Sequence, residues 1–154
     1  MVVKVLFVCY GNICRSPLAE FVFKDMVSKR GLQESISVAS AGTSGEHLGD
    51  PVDRRSAAVM AKHGISCAGK TSRKLLASDF LEYDYILAMD RQNLDFMRRM
   101  CPDPGKCVVR LLMDYAGGGI VDDPYFTLDF DKAYSDIERG CRGLLEEIEK
   151  KLAL

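Results

Sequence analysis

Apolar residues along the chain gather in short runs separated by segments of helical period. Four runs stand out: Val2–Val8, Ile36–Ser40, Tyr83–Met89 and Val108–Met113. They are rich in Val, Ile and Leu and lack clean alternation, as parallel strands covered on both faces do. Between them lie helical patterns. Pro17–Arg30 sets Leu18, Phe21, Val22 and Met26 on one stripe, and Gly31 stops it. Asp53–His63 predicts a second helix ended by Gly64, and Arg91–Met100 a third ended by Pro102. Asp129–Leu152 is the longest, with Ala133, Ile137, Leu144, Leu145 and Ile148 at apolar positions. Strands alternating with helices predict an α/β fold with a parallel sheet, a single domain over residues 1–154. The stretch Ala116-Gly117-Gly118-Gly119 reads as a hinge or turn before Ile120, not as a domain boundary.

Composition narrows the function classes. At 154 residues, with 47% hydrophobic and 28% charged positions, the chain has the balance of a soluble globular domain that folds without staples. A net charge of −1 supplies no global basic field, so neither nucleic acid nor an anionic membrane is an expected partner. Any phosphate site must be local. The opening run to Val8 is too short to span a bilayer and ends in no cleavage site. A cytoplasmic, reducing compartment is therefore expected for the six cysteines, Cys9, Cys14, Cys67, Cys101, Cys107 and Cys141. No Cys-x-x-Cys pair occurs, and His47 and His63 lack zinc-ligand spacing, so neither a metal nor a cofactor is expected.

The segment after the first strand changes the picture most. Cys9-Tyr10-Gly11-Asn12-Ile13-Cys14-Arg15-Ser16-Pro17 places a Cys, five residues, then Arg and Ser between a strand and a helix. A short loop entering a helix can aim successive backbone N–H groups at one centre and cradle a dianion. Gly11 and Asn12 tolerate the positive φ that such a curl needs. Pro17 suits a first helical turn. Arg15 offers a planar fork for two phosphate oxygens. Cys9, under the same amides, is placed to act as a thiolate nucleophile, and Ser16 to donate a hydrogen bond to the sulfur when it leaves. Cys14, five residues further on, comes close to Cys9 if the loop is tightly curled. Reversible oxidation to a Cys9–Cys14 disulfide is expected.

Phosphoryl transfer from an aryl ester also needs a proton for the leaving oxygen. Asp122-Asp123-Pro124-Tyr125-Phe126 is the most suggestive source, since Pro124 stiffens the loop and holds Asp123 extended. Spacing alone does not separate an acid loop from a plain Asp-Pro turn leading to the last helix.

With both segments in view, the chain resembles the low-molecular-weight protein tyrosine phosphatases. Val8 to Pro17 fits their phosphate-loop signature, and Asp122-Asp123-Pro124-Tyr125 their acid loop. Ser40-Ala41-Gly42-Thr43, Lys62-His63-Gly64-Ile65 and Asp84-Tyr85-Ile86-Leu87-Ala88-Met89-Asp90 look like family segments between them. The resemblance implies a four-stranded parallel sheet with helices on both faces and the phosphate loop between the first strand and first helix. It implies Cys9 as nucleophile, Arg15 as phosphate clamp and Asp123 as general acid. Substrate contacts fall to Tyr10, Gly11, Asn12, Ile13, Cys14, Ser16 and Tyr125, the last as an aryl wall. Asn12 with Ser40 buttresses the loop, and Asp90 supports it. The implied reaction is hydrolysis of phosphotyrosine in proteins, or of small aryl phosphates, through a phosphocysteine intermediate, with inorganic phosphate as product and inhibitor.

The chain departs from the pattern in three places. Ser44-Gly45-Glu46-His47-Leu48 lacks the aromatic that often forms the opposite wall of the slot, Lys70 stands near a position that is His in many relatives, and Tyr10 replaces a small or aliphatic residue. Either Tyr10 supplies the missing wall or it is an exposed loop residue.

Arsenate reductases of the same architecture offer a redox alternative, which would draw on Cys67, Cys101 or Cys107. A phosphoarginine phosphatase on the same scaffold is another. Its members carry Thr at the position of Ile13, whose apolar side chain here suits a phenyl edge and leaves a guanidinium unsolvated. A non-catalytic binding module is disfavoured by the presence of both Cys9 and Asp123. A thiol protease is disfavoured because no motif ties His47 or His63 to Cys9.

Overall fold

Each of the four apolar runs forms a strand, two of them shorter than their apolar length. In the computed structural model, which describes residues 1–153, β1 is Val3–Cys9, β2 Ile36–Gly42, β3 Tyr85–Ala88 and β4 Val108–Leu111. The third run starts two residues late because Tyr83 and Asp84 still turn out of a short helix, α3 (Asp79–Glu82). The fourth ends early because Leu112–Ala116 winds into a 3₁₀-helix. The predicted helices appear as α1 (Arg15–Lys29), α2 (Arg54–Lys62), α4 (Arg91–Met100) and α6 (Phe130–Leu152), and α5 (Pro124–Thr127) is one further turn. Helix α1 begins two residues before Pro17, so Arg15 and Ser16 belong to its first turn.

The strands are all parallel, in the order β2-β1-β3-β4. The chain thus leaves β1 to one side and returns to the other. This creates a switch point at the carboxyl ends of β1 and β3, where open sheets of this kind bind ligands. Alternate residues of β1 serve two cores. Val5 and Phe7 pack with α1, α2 and α6, where Phe7 meets Phe23 edge to face at 5.6 Å. Leu6 and Val8 pack with Leu94 and Met97 of α4 and Phe80 of α3 on the opposite face. Both faces are covered, which is why β1 reads as an unbroken apolar run.

Two glycines of α6 bring the end of the sheet close to that helix. A Cβ at Gly140 would lie 2.7 Å from Leu112 Cγ, and one at Gly143 1.9 Å from the Tyr115 carbonyl oxygen. The chain then turns through Gly117, Gly118 and Gly119, all at positive φ, and re-enters the core at Val121, whose N–H donates to the Met89 carbonyl. That return carries Asp123 to the carboxyl end of β1.

Candidate active site

Cys9 ends β1, and the next residues curl before α1 begins. Asn12 takes the turn at φ 55°, a left-handed conformation Asn tolerates. Gly11 does not have positive φ, contrary to the sequence expectation. It leaves room for a neighbour, since a Cβ there would lie 2.9 Å from Cδ2 of His47, a partly exposed ring that could give way. Among the described residues, the backbone N–H groups of Gly11, Asn12, Ile13 and Cys14 donate to no other protein atom. Helix α1 starts without a side-chain cap and without an acid in its first turn. Unpaired amides and an open helix N-terminus together make an anion site.

The cradle is fastened from behind. Asn12 Nδ2 donates to Ser16 Oγ at 2.8 Å and to Ser40 Oγ at 2.9 Å. Its Oδ1 accepts the Arg73 N–H at 3.0 Å. Ser72 Oγ donates to the Gly11 carbonyl at 2.9 Å and turns it away from the cradle. Cys9 Sγ lies 3.0 Å from Ser16 Oγ.

Arg15 is buried and points into the cavity. Its Nη1 donates to Asp90 Oδ2 at 2.6 Å and to the Val121 carbonyl at 2.9 Å, while Nη2 lies 3.4 Å from Asp123 Oδ2. Burial alone would lower the pKa of this guanidinium, but the negative groups Cys9, Asp90 and Asp123 raise it above the ordinary value. Asp90 caps α4 in a reciprocal arrangement with Asn93, so the anchor of Arg15 is itself fixed.

Asp122 and Asp123, adjacent in sequence, separate in space. Asp122 is exposed and faces Lys132 at 3.4 Å. Asp123 caps α5, accepting the Tyr125 N–H at 3.0 Å, and lines the cavity with Cys9 and Arg15. The cavity has a volume of about 520 Å³. Tyr10 and Tyr125 line it, both about half exposed, as does Ile13. Tyr10 Oη donates to Glu46 Oε2 at 2.9 Å, which holds its ring at the rim where the expected aromatic wall is missing. Cys14 is buried beside Cys9. Burial pushes its thiol up to about 12, with Asp53, Cys9 and Asp123 adding to the effect. Cys67, Cys101 and Cys107 do not line the cavity. Among the described residues no group of three or more His, Cys, Asp or Glu is placed to hold a metal ion, and no helix is long and apolar enough to cross a membrane.

Sequence reading missed most of the supports. Ser72 and Arg73 lie 61 residues from the groups they hold, and one of them acts through its backbone. Lys70, doubtful from sequence, reaches the Ser40 carbonyl at 3.0 Å and Glu20 at 3.3 Å. Glu20 carried a faint signal: Ser16, Glu20 and Lys24 recur every fourth residue, on one face of a helix.

Comparisons with known proteins agree with this geometry. Residues 4–154 match the family model described as low molecular weight phosphotyrosine protein phosphatase. The low molecular weight protein-tyrosine-phosphatase YfkJ of Bacillus subtilis is 38% identical, covering 99% of each chain. Its crystal structure superposes with a TM-score of 0.94 over 98% of this chain and 97% of that one. The human low molecular weight phosphotyrosine protein phosphatase is 39% identical over 94% of each chain. A Drosophila arginine phosphatase is also similar, with a TM-score of 0.85 and 36% identity over 94% of this chain and 97% of that one.

Proposed function

Because the chain belongs to the low molecular weight phosphotyrosine protein phosphatase family, we propose that this cavity hydrolyses phosphotyrosine in proteins, and small aryl phosphates, through a phosphocysteine. The chain is a cysteine-dependent protein-tyrosine phosphatase. The observation that carries the residue roles is the convergence of Cys9, Arg15 and Asp123 on one cavity under four unpaired backbone N–H groups.

Substrate phosphate enters the cradle, and its oxygens take the loop amides and Arg15 Nη2, displacing Asp123 from that nitrogen. Cys9 Sγ attacks phosphorus, the P–O bond to the aryl group breaks, and Asp123, released from Arg15 and carrying a proton taken from solvent, gives that proton to the leaving oxygen. Water then attacks the phosphocysteine. Asp123 takes a proton from that water, the S–P bond breaks, and the electron pair returns to sulfur, to which the Ser16 hydroxyl donates a hydrogen bond. Inorganic phosphate leaves and, as a ligand of the same cradle, inhibits. The amides and Arg15 are fixed before the reaction, so charge developing on the phosphoryl oxygens meets donors that need not reorganise.

Steady-state hydrolysis of p-nitrophenyl phosphate and a phosphotyrosine peptide with EDTA present, together with acid-quench trapping of phosphocysteine, tests this. Turnover through a trapped intermediate is expected. Turnover without one would overturn the nucleophile assignment.

Phosphoarginine is the second reading, favoured by the likeness to the Drosophila arginine phosphatase. Ile13 lines the cavity and offers no hydrogen bond to a guanidinium. Each buried donor left unmet costs on the order of 1–3 kcal/mol, enough for a preference of about tenfold or more for phosphotyrosine. Ile13→Thr should raise the relative rate on phosphoarginine. An unchanged ratio removes Ile13 as the selector.

Both Cys9 and Cys14 line the cavity. Peroxide oxidises the Cys9 thiolate to a sulfenic acid. The Cys14 thiol displaces water from it, and a dithiol reductant reverses the resulting disulfide. Peptide mapping after mild oxidation should find Cys9 joined to Cys14. Cys14 free beside an over-oxidised Cys9 would exclude it. A cytoplasmic setting, where such thiols stay reduced, is part of this proposal.

A further inference from the structure

The hydrogen-bond network behind the nucleophile has a direction, and that direction can be worked out from its ends. At one end the Arg73 backbone N–H can only donate, so Asn12 Oδ1 must face it. This settles the amide orientation and turns Nδ2 toward the hydroxyls of Ser16 and Ser40, at 2.8 and 2.9 Å. At the other end is Glu20, 4% exposed in the first half of α1. Its carboxylate sits between two ammonium groups, Lys24 Nζ at 2.6 Å and Lys70 Nζ at 3.3 Å. An ionised carboxylate can only accept, so the Ser40 hydroxyl donates to Glu20 Oε1, at 2.6 Å. With its proton committed there, Ser40 meets Asn12 with a lone pair. Asn12 in turn fills one lone pair of Ser16. The Ser16 proton is left for Cys9 Sγ at 3.0 Å, with the Ala41 carbonyl, at 3.4 Å, the more distant acceptor.

We infer that Glu20, paired with Lys70, is a positioning residue for the nucleophile, acting through Ser40 and Asn12 to aim the Ser16 hydroxyl at the Cys9 sulfur. If the acceptor at Glu20 is removed, the Ser40 proton is free to point at Asn12 Nδ2, donor against donor. The amide then turns, and Ser16 loses the bond that commits its lone pair. Lys70 holds Glu20 in place. Burial holds the pKa of Lys70 below its ordinary value, and the Glu20 carboxylate offsets only part of this. Its Nζ also ties the pair to β2 at the Ser40 carbonyl. The inference rests on Cys9 being the nucleophile and adds two residues that never touch substrate.

The double variant Glu20→Leu/Lys70→Met removes the buried pair at similar volume and leaves Lys24, 43% exposed, to water; such replacements of buried ion pairs are often neutral for stability. Its melting temperature should therefore stay near wild type while catalysis suffers. Loss of a hydrogen bond to a charged sulfur should lower kcat by about tenfold. Because that bond assists departure of sulfur from phosphocysteine, kcat should fall more than kcat/KM and the intermediate should accumulate as a burst. Thiolate absorbance at a fixed neutral pH should also fall. A purely structural role would move none of the last three. In a Ser16→Ala background the double variant should cost less than about twofold more, since the path ends at Ser16. Unchanged kcat, or losses that multiply with Ser16→Ala, would overturn the inference. If the double variant melts early, Ser40→Ala decides the matter instead: it leaves the pair intact, breaks the next link, and must show the same burst and the same dependence on Ser16. Failure of the phosphocysteine reading would look different, since the wild type itself would yield no intermediate.

Discussion

The phosphate loop and the acid loop face each other across one cavity but are fixed to the fold by different means. In the phosphate loop Asn12, Arg15 and Ser16 are 1%, 3% and 0% exposed, and buried groups from α1, β2 and the segment 72–73 hold them. In the acid loop Tyr125, Phe126 and Leu128 are 53%, 79% and 67% exposed. That loop is tied by the Val121 N–H, by Asp123 capping its own short helix, and by Arg15. The difference follows the chemistry. A dianion has one shape, and stabilising its transition state requires donors fixed in advance. A proton donor and an aryl wall must instead admit side chains presented on different proteins. The cradle is therefore over-determined and the slot is not. Substitutions behind the cradle should cost more than substitutions behind the slot, even at equal distance from the phosphate.

The largest effect lies in the cradle itself. Cys9→Ser should abolish turnover yet keep binding of a phosphate analogue such as vanadate or tungstate, since the amides and Arg15 remain. Calorimetric titration beside a rate assay reads both. Turnover above a small fraction of wild type would remove Cys9 as nucleophile, while lost binding would mean that the sulfur shapes the cradle.

Asp123→Ala touches the acid loop at its one chemical group. A general acid contributes about 10²–10⁴-fold, and less when the leaving group needs no proton. A series of aryl phosphates should show a steep loss with poor leaving groups and a small one with good ones. Asp122→Ala should leave the series flat, because Asp122 faces Lys132 and not the cavity. A reversed result would make Asp122 the acid.

Gly42→Ala tests the cradle from behind. A Cβ at Gly42 would lie 2.8 Å from the Tyr10 carbonyl oxygen and 3.2 Å from the Asn12 nitrogen, backbone atoms that cannot step aside as a side-chain tip can. The loop must shift, and since a misplacement of about 1 Å costs roughly 10²-fold in rate where orientation matters, a loss of up to about 10²-fold is expected. A near-normal kcat/KM would show the cradle to be more yielding than its hydrogen bonds imply.

These residues also mark what the sequence made legible. Cys9, Arg15 and Ser16 stand in one short segment, so their chemistry can be read from spacing, and the apolar runs and capped helices place that segment at a strand end. Gly42, Ser72 and Glu20 owe their roles to chain segments brought together by the sheet, and no local pattern marks them. Asp122 and Asp123 are intermediate: the motif is local, but which carboxylate turns inward depends on Lys132 and Arg15, each anchored elsewhere. Tyr10 needed the structure for the same reason, because its partner Glu46 lies on the loop after β2.

The smallest expected effect probes the back of the slot. Arg55 is held by Asp53, with Nε 3.1 Å from Oδ1 and Nη2 3.0 Å from Oδ2. Its guanidinium carbon lies 5.8 Å from the Tyr125 ring centroid and 4.7 Å from that of Phe130. Asp53 in turn donates its N–H to the Ile13 carbonyl at 2.8 Å. Arg55 thus links the floor of the slot to its aromatic wall. The link rests on exposed cation–π contacts, which are individually weak. Arg55→Leu keeps the bulk and removes the charge and the fork. It should raise KM for aryl phosphates by about two- to fivefold with kcat nearly unchanged, because the wall orients the ring while Asp123 keeps its place as the cap of α5. Arg55→Lys should recover little, since an ammonium can neither grip Asp53 with two parallel bonds nor lie flat on a ring. A loss in kcat as large as that of Gly42→Ala would break the comparison, for it would mean that Arg55 fixes the acid as firmly as the buried network fixes the cradle.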